Sequence, residues 1–340
     1  MKAFWAPYRL FFKFEARTSR QVMTFKDTYF IRLADDADRT LGIGECALFR
    51  GLSADDTPDY EQRLAEACAD PEAALRSPCS SIRFGFECAM EPHRGNNGWL
   101  SGDYGIPLNG LVWMGDKATM RSRIASKLDD GFSVLKLKIG GIDFNDELDL
   151  LREVRRDFRP DDLEIRLDAN GAFSPDDASE RLRRLSEFGI HSIEQPIRAG
   201  QPEEMARICA DTPVPVALDE ELIGLRTAEE SRSLIEAIRP QYIILKPSLC
   251  GGLRAADTYI SIATELGIGW WATSALESNI GLAAIGSWLT DNYTVTMPHG
   301  LGTGQLYTNN IESPLAMQGG RLFNLHGYRW GAIDNLPWRH

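Results

Sequence analysis

Apolar and polar positions follow two rhythms along this chain. Between Lys2 and Ala47 apolar residues alternate with polar ones in β-rich runs such as Leu10-Phe11-Phe12-Lys13-Phe14 and Thr28-Tyr29-Phe30-Ile31-Arg32-Leu33, broken by polar turns. Period-two alternation predicts a small antiparallel sheet. Helical composition follows at 60–69 and 80–90, and Asn96-Asn97-Gly98 with Ser101-Gly102 reads as a linker. Beyond Ile106 short apolar runs alternate with one-sided segments about a dozen residues long. The runs predict eight strands, at 107–113, 134–139, 163–167, 190–193, 216–218, 242–245, 269–272 and 293–297. Between them, Met120, Ile124 and Leu128 recur at helical spacing, as do Leu148, Leu151, Val154 and Phe158. Ser174-Pro175-Asp176-Asp177 supplies a capping serine and a proline in the first turn of a helix whose apolar face is Ala178, Leu182 and Leu185.

Strand and helix alternation at this spacing means parallel βα units, and eight of them in roughly 190 residues favour a closed (β/α)8-type barrel. An open doubly wound sheet is the alternative. No strand runs through a Gly-x-Gly-x-x-Gly turn into a helix, and Gly251-Gly252 is a lone pair, which weakens the dinucleotide-binding form of that sheet. The last segment, 306–340, lacks the βα rhythm and is rich in turns and aromatics; it is expected to pack back on the amino-terminal sheet.

Composition narrows the class. The 340 residues predict about two domains, or one large barrel with an appendage, and the 43% apolar fraction is ample for a core. Net charge is -12, from 37 basic and 49 acidic side chains, which argues against nucleic acid or an anionic membrane as partner. Six cysteines, Cys46, Cys68, Cys79, Cys88, Cys209 and Cys250, include no Cys-x-x-Cys pair and are expected to be buried thiols. The first 17 residues carry Lys2, Arg9, Lys13 and Glu15, so no signal-peptide core is expected, and no run approaches the ~20 apolar residues of a membrane helix. The expected class is a cytoplasmic enzyme.

The candidate chemistry lies at the carboxyl ends of the strands, which open onto one face of a barrel. Lys138, Asp168, Glu194, Asp219 and Lys246 follow one another at steps of 30, 26, 25 and 27 residues, about one βα unit each. Charged side chains are almost never buried unless paired or bound to metal. Three carboxylates on adjacent strands repel unless a cation neutralises them, and a hard divalent ion such as Mg2+ suits an all-oxygen set. Zinc fits less well, since His93, His191, His299, His326 and His340 show no ligand spacing. Lys136 and Lys138 share one face of their strand, where desolvation and a like charge are expected to lower an amine's pKa. A lysine on either side of a metal-bound substrate carboxylate suits removal of the proton α to that carboxylate: one amine takes the proton, and the other protonates or stabilises the opposite face.

This set of residues resembles the enolase superfamily, and within it the muconate-lactonizing-enzyme subgroup, known by Lys-x-Lys on the second strand, Asp, Glu and Asp ligands, and a Lys on the sixth. The resemblance implies a (β/α)7β TIM-like barrel over 104–304 with a discontinuous α+β capping domain, 1–103 plus 305–340. It assigns Lys138 and Lys246 as the acid/base pair and Asp168, Glu194 and Asp219 as ligands of Mg2+, with Mn2+ as a substitute. Lys136, Asn170, Glu220, Ser248 and Ser274, all at strand ends, are expected to contact substrate or to support the residues that do. Dipeptide epimerases of the subgroup carry Asp-x-Asp at the eighth strand, whereas this chain reads Thr294-Val295-Thr296-Met297-Pro298-His299-Gly300. The segments 300–311 and Ser274-Ala275-Leu276-Glu277-Ser278 look like those of o-succinylbenzoate synthases, which implies a dehydration on the way to menaquinone. The alternatives are N-succinylamino acid racemase, dipeptide epimerase and a non-catalytic barrel. The loops near 17–23 and 49–55 are candidates for covering a small-molecule carboxylate substrate; oligomeric state stays open.

Overall fold

The computed structural model describes residues 1–17, 22–91 and 98–340, so part of the expected linker, Asn96-Asn97, and part of the expected covering loop, 18–21, lie outside the described residues. The alternating amino-terminal runs form β1 (Lys2–Arg17), β2 (Val22–Ala34) and β3 (Thr40–Cys46), an antiparallel sheet in that order. Then come α1 (Tyr60–Ala69), α2 (Pro71–Ala74) and α3 (Ser80–Met90). Trp5, Tyr29, Ile31 and Leu33 of the sheet bury against Leu64 of α1 and Ile82 and Phe86 of α3. Gly44 permits this close packing: a Cβ there would lie 1.9 Å from the Gly85 carbonyl oxygen of α3.

The βα rhythm forms as read, through β4 (Ile106–Pro107), β5 (Gly110–Val112), α4 (Lys117–Asp129), β6 (Val134–Lys138), α5 (Phe144–Asp157), β7 (Glu164–Asp168), α6 (Pro175–Ser186), β8 (Ser192–Glu194), α7 (Pro202–Ala210), β9 (Val216–Leu218), α8 (Ala228–Ile238), β10 (Tyr242–Leu245), α9 (Leu253–Leu266), β11 (Gly269–Ala272) and α10 (Asn279–Asn292). Strands β5 to β11 form one curled parallel sheet in sequence order. Leu135 and Leu137 of β6 join the core shared with the helices, which turns Lys136 and Lys138 to the barrel interior. The cap on α6 is the expected one, with the Asp177 N–H donating to Ser174 Oγ at 3.1 Å.

Two strands differ from their sequence patterns. The run 107–113 divides: β4 leaves the barrel to pair antiparallel with β13, and only β5 joins the parallel sheet. The run 293–297 forms no strand; residues 299 and 300 alone close the ring, through the parallel bridges Leu108 to His299 and Thr273 to Gly300. Side chains replace the missing ladder. Pro298 has no N–H to give, its carbonyl accepts from the Arg166 guanidinium at 2.8 Å, and the Ala272 N–H donates to His299 Nδ1 at 3.0 Å. Burial pushes the His299 imidazole down to about 3, so it is a neutral acceptor.

The tail also divides. Tyr307 and Arg339 bridge to Phe12 and Trp5 of β1, as expected. Its middle instead forms a hairpin, β12 (Leu315–Gln318) and β13 (Arg321–Asn324), turning at Gly319 and Gly320 with φ of 52° and 68°, and it extends the sheet of β4. The whole is a (β/α)7β barrel beneath an α+β cap.

Buried carboxylates of the cap dock on helix N-termini of the barrel, where unpaired N–H groups favour an anion. Glu45 of β3 accepts from the Ser278 and Gly281 N–H groups of α10, each at 3.0 Å. Glu87 of α3 accepts from the Leu253 N–H of α9 at 2.5 Å. Burial pushes the Glu87 carboxyl up to about 7. A raised folded-state pKa means that the native state holds the proton more tightly than the unfolded chain. Stability from this group is therefore full below the ordinary carboxylate value and is lost as pH rises toward 7. Glu87→Gln is expected to remove up to about 3 kcal/mol of the stability loss between pH 4.5 and 7.5, read from urea midpoints. An unchanged pH slope would contradict this assignment.

Candidate active site

Parallel strands in register bring their carboxyl ends level, so Lys138 of β6, Asp168 of β7 and Glu194 of β8 lie side by side. Asp219 follows β9 and Lys246 follows β10 directly, which places all five charges on one rim. Asp168, Glu194 and Asp219 are each at most 2% exposed. Lys138 Nζ donates to Asp168 Oδ2 at 2.9 Å and to Asn170 Oδ1 at 2.8 Å, and lies 5.6 Å from the Trp113 ring centre. Lys136 Nζ stands 3.0 Å from Asp168 and pairs with Glu194; Lys246 Nζ pairs with Asp219 and lies 3.7 Å from Glu194.

The electrostatics correct one expectation. Lys136 is raised, not lowered: burial alone would lower it, but the facing Asp168 and Glu194 outweigh it; Lys246, for which no shift was expected, is raised in the same way by Asp219 and Glu194 against its burial. Asp168 is likewise held well below the usual range, because three lysines overcome the upward effect of its burial. Glu194 goes the other way, to about 8, through burial first and then the neighbouring Asp168.

Among the described residues the acidic groups do not converge on one point; two ammonium groups stand between them. The donor set nonetheless fits a hard cation. Both Glu194 oxygens are buried without a hydrogen-bond donor, since the Lys136 contact is an ion pair without hydrogen-bond geometry, and carboxylates flank them on either side. Only oxygen ligands are offered, which suits a divalent ion of the Mg2+ type.

The backbone around these groups is held in unusual conformations. Asn170 and Gln195 have φ of 45° and 42°, in the left-handed region that costs non-glycine residues energy. Hydrogen bonds hold them there. Gln195 Oε1 accepts from the Asp219 N–H at 3.2 Å and Gln195 Nε2 donates to Glu221 at 3.0 Å, tying the loop of the third carboxylate to that of the second. Asn170 Nδ2 donates to Glu220 Oε1 at 3.1 Å, so both act behind Lys138 and the carboxylates. Nothing in the sequence pattern singled out Gln195 beyond its place after Glu194.

A cavity of about 230 Å³ opens over this rim, lined by Lys136, Lys138, Asp168, Asn170, Lys246 and Ser274 of the barrel, by Leu111 of β5 and by Trp113 just past it. Met23, Phe49 and Leu52 of the cap cover it, so both expected covering loops contribute. Asp55, at the end of the second loop, instead accepts from the Ser80 and Ser81 N–H groups of α3, at 3.0 and 2.7 Å. Of the two expected serines only Ser274 reaches the cavity; Ser248 is wholly buried, and both donate to Glu277. Glu277 lies within Ser274-Ala275-Leu276-Glu277-Ser278, where no spacing or periodicity sets it apart from its neighbours.

Comparison with known proteins follows the same lines. Residues 119–322 match the family model described as enolase C-terminal domain-like. An o-succinylbenzoate synthase from Desulfotalea psychrophila is 47% identical, over 92% of this chain and 96% of its own length. An N-succinylamino acid racemase from Amycolatopsis is 29% identical over 58% of this chain and 52% of its own. The crystal structure of MenC from Desulfotalea psychrophila superposes with a TM-score of 0.79 at 44% identity, covering 95% of this chain and 99% of that one. A dipeptide epimerase from Enterococcus faecalis, solved with Mg and a dipeptide, gives 0.81 at 17% identity over 100% and 99% of the two chains, a likeness of fold.

Glu194→Gln is expected to weaken divalent-cation binding at least about 100-fold by calorimetry, with the fold retained, since even outer partners of a metal site cost 10–100-fold. Unchanged affinity would place the cation elsewhere.

Proposed function

The chain belongs to the enolase C-terminal domain-like family, and on that footing we propose a mechanism for its reaction, the dehydration of 2-succinyl-6-hydroxy-2,4-cyclohexadiene-1-carboxylate to o-succinylbenzoate in menaquinone biosynthesis. The observation that carries it is the order of charges around the rim, lysine, three carboxylates, lysine, beneath a cavity covered by the cap, in a chain 47% identical to a synthase along nearly its whole length. The enzyme is a hydro-lyase and uses a divalent metal. Mg2+ is the proposed ion, with Mn2+ as substitute, held by Asp168, Glu194 and Asp219. When bound, it supplies positive charge against that which builds on the substrate carboxylate as the α proton leaves.

The chain's own groups do the rest. Lys138 Nζ takes the proton from C1 and the electron pair of that bond passes onto the substrate carboxylate; the pair then forms the C1–C6 double bond as the C6–O bond breaks. The Lys138 ammonium returns its proton to the departing hydroxyl, which leaves as water, and the amine ends as it began. Asn170 and Asp168 orient Lys138 through its two hydrogen bonds. Lys246, four strands away across the cavity, opposes the developing negative charge. Trp113, Leu111, Phe49 and Leu52 shield the ring from water, which strengthens both effects. Because aromatisation drives the step, the site has only to hold the substrate and its ionised form.

Dipeptide epimerase activity is disfavoured by the absence of an acidic pair at 294–300. N-succinylamino acid racemisation uses the same lysines and is separated by product analysis in deuterated solvent: inversion of an N-succinylamino acid without dehydration of the cyclohexadiene would overturn the synthase reading. Residues 1–103 with 305–340 are proposed as the capping domain and 104–304 as the barrel domain. A cytoplasmic location is proposed; no helix among the described residues is long and apolar enough to cross a membrane. Lys138→Ala is expected to cut dehydration by about 10²- to 10⁴-fold while calorimetric cation binding persists. Retained turnover would show that another group is the base.

A further inference from the structure

We propose that Glu277 is a positioning residue, which ties the strand end carrying Lys246 to the adjoining wall of the cavity and takes its counter-charge from Lys26 of the cap. The inference rests on the synthase reading above and on Lys246 acting in it. Glu277 is wholly buried in the loop after β11. Its Oε1 accepts from Ser248 Oγ and its Oε2 from Ser274 Oγ, each at 2.5 Å.

Ser248 stands two residues past Lys246, in a turn where the Leu249 and Cys250 N–H groups both donate to the Lys246 carbonyl, at 2.8 and 3.0 Å. The serine and the Lys246 backbone therefore move as one piece. On the other side, Ser274 Oγ is bonded to Thr303 Oγ1 at 2.7 Å and accepts from the Leu276 N–H at 3.0 Å, which holds Leu276 at a φ of 65°. Ser274, Leu276 and Thr303 all line the cavity. The last ladder bond between β10 and the chain leaving β11 runs from the Thr273 N–H to the Leu245 carbonyl, 2.8 Å. Past that point backbone pairing no longer fixes the two ends against each other, and the Glu277 carboxylate spans them.

A carboxylate this deep requires an opposite charge. Lys26 of β2, 5% exposed, has no hydrogen-bond partner for its Nζ; burial lowers its pKa, and the charges of Glu45 and then Glu277 work against that burial. It lies three residues along β2 from Met23, which covers the cavity. A brace for the fold alone would show itself in stability. A positioning residue shows itself in turnover with binding preserved.

The test compares Ser248→Ala, Glu277→Gln, Lys26→Met and the double variant Lys26→Met/Glu277→Gln with the wild type and with Lys246→Ala. Ser248→Ala and Glu277→Gln are expected to lower kcat about 10- to 100-fold, because a displacement of about 1 Å costs up to ~10²-fold, with KM within about twofold and cation affinity unchanged. The double variant is expected to have a higher urea midpoint than Lys26→Met alone, since neutralising Glu277 removes the uncompensated charge. If Glu277→Gln fails to fold, Ser248→Ala carries the test, because it cuts only the link to Lys246. An inactive Lys246→Ala beside a Ser248→Ala of wild-type kcat overturns this inference alone, whereas a fully active Lys246→Ala sinks the site reading beneath it. A double variant no more stable than Lys26→Met overturns the role of Lys26.

Discussion

Parallel strands of a closed barrel must end level, and three of these ends carry carboxylates. Asp168 and Glu194 are direct register partners, with Asp219 on the next strand, in a setting at most 2% exposed where charges are poorly screened. Their mutual repulsion is the constraint around which the rest is arranged. Lysines enter from the strands on either side, Lys136 and Lys138 from β6 and Lys246 beyond β10, and divide the acids between them. Glu194, in the middle, is left with no hydrogen-bond donor of its own and a carboxyl displaced toward the neutral form. A site of this kind holds positive charge readily and binds a carboxylate substrate through it, so the electrostatic need and the chemistry coincide.

The cap exists for the same reason. Proton removal next to a carboxylate requires the developing charge to be met by fixed groups and not by water. The cap supplies Met23, Phe49 and Leu52 over the cavity and is anchored through buried acids, Glu45 and Glu87, on the N-termini of α10 and α9. Anchoring by side-chain carboxylates on helix ends gives the cap a defined seat, because both Glu45 oxygens and Glu87 Oε2 meet specific N–H groups.

Much of this was legible in the sequence because the signals were local. Apolar runs of three to five residues followed by a charge, repeated at one βα unit, located β6 to β10 and their ends, and period-two alternation located β1 and β2. What stayed hidden depends on contacts distant along the chain. The eighth strand read as apolar at 293–297, yet the ring closes at 299–300, with the Arg166 guanidinium from β7 on the Pro298 carbonyl and the His299 ring on the Ala272 N–H. The hairpin of β12 and β13 left the cap for β4 because pairing partners are not written in either segment alone. Gln195, Glu277 and Lys26 showed no spacing of their own; they matter through oxygens and ammonium groups that folding brings near Asp219, Ser248 and Glu45. The rise in the Lys136 pKa was missed for a related reason: from sequence Lys136 sees a neighbouring lysine, whereas in the folded barrel Asp168 and Glu194 outweigh its burial.

The central claim is that Asp168, Glu194 and Asp219 form one cation site facing Lys138 and Lys246. Crystals grown with Mn2+ and measured at a wavelength where manganese scatters anomalously test it most directly. The account predicts a single strong peak within about 2.5 Å of an oxygen from each of the three carboxylates, with the Lys136 and Lys246 ammonium groups drawn back from them. A peak elsewhere in the barrel, or lysines still seated among the acids with no peak between them, would contradict it.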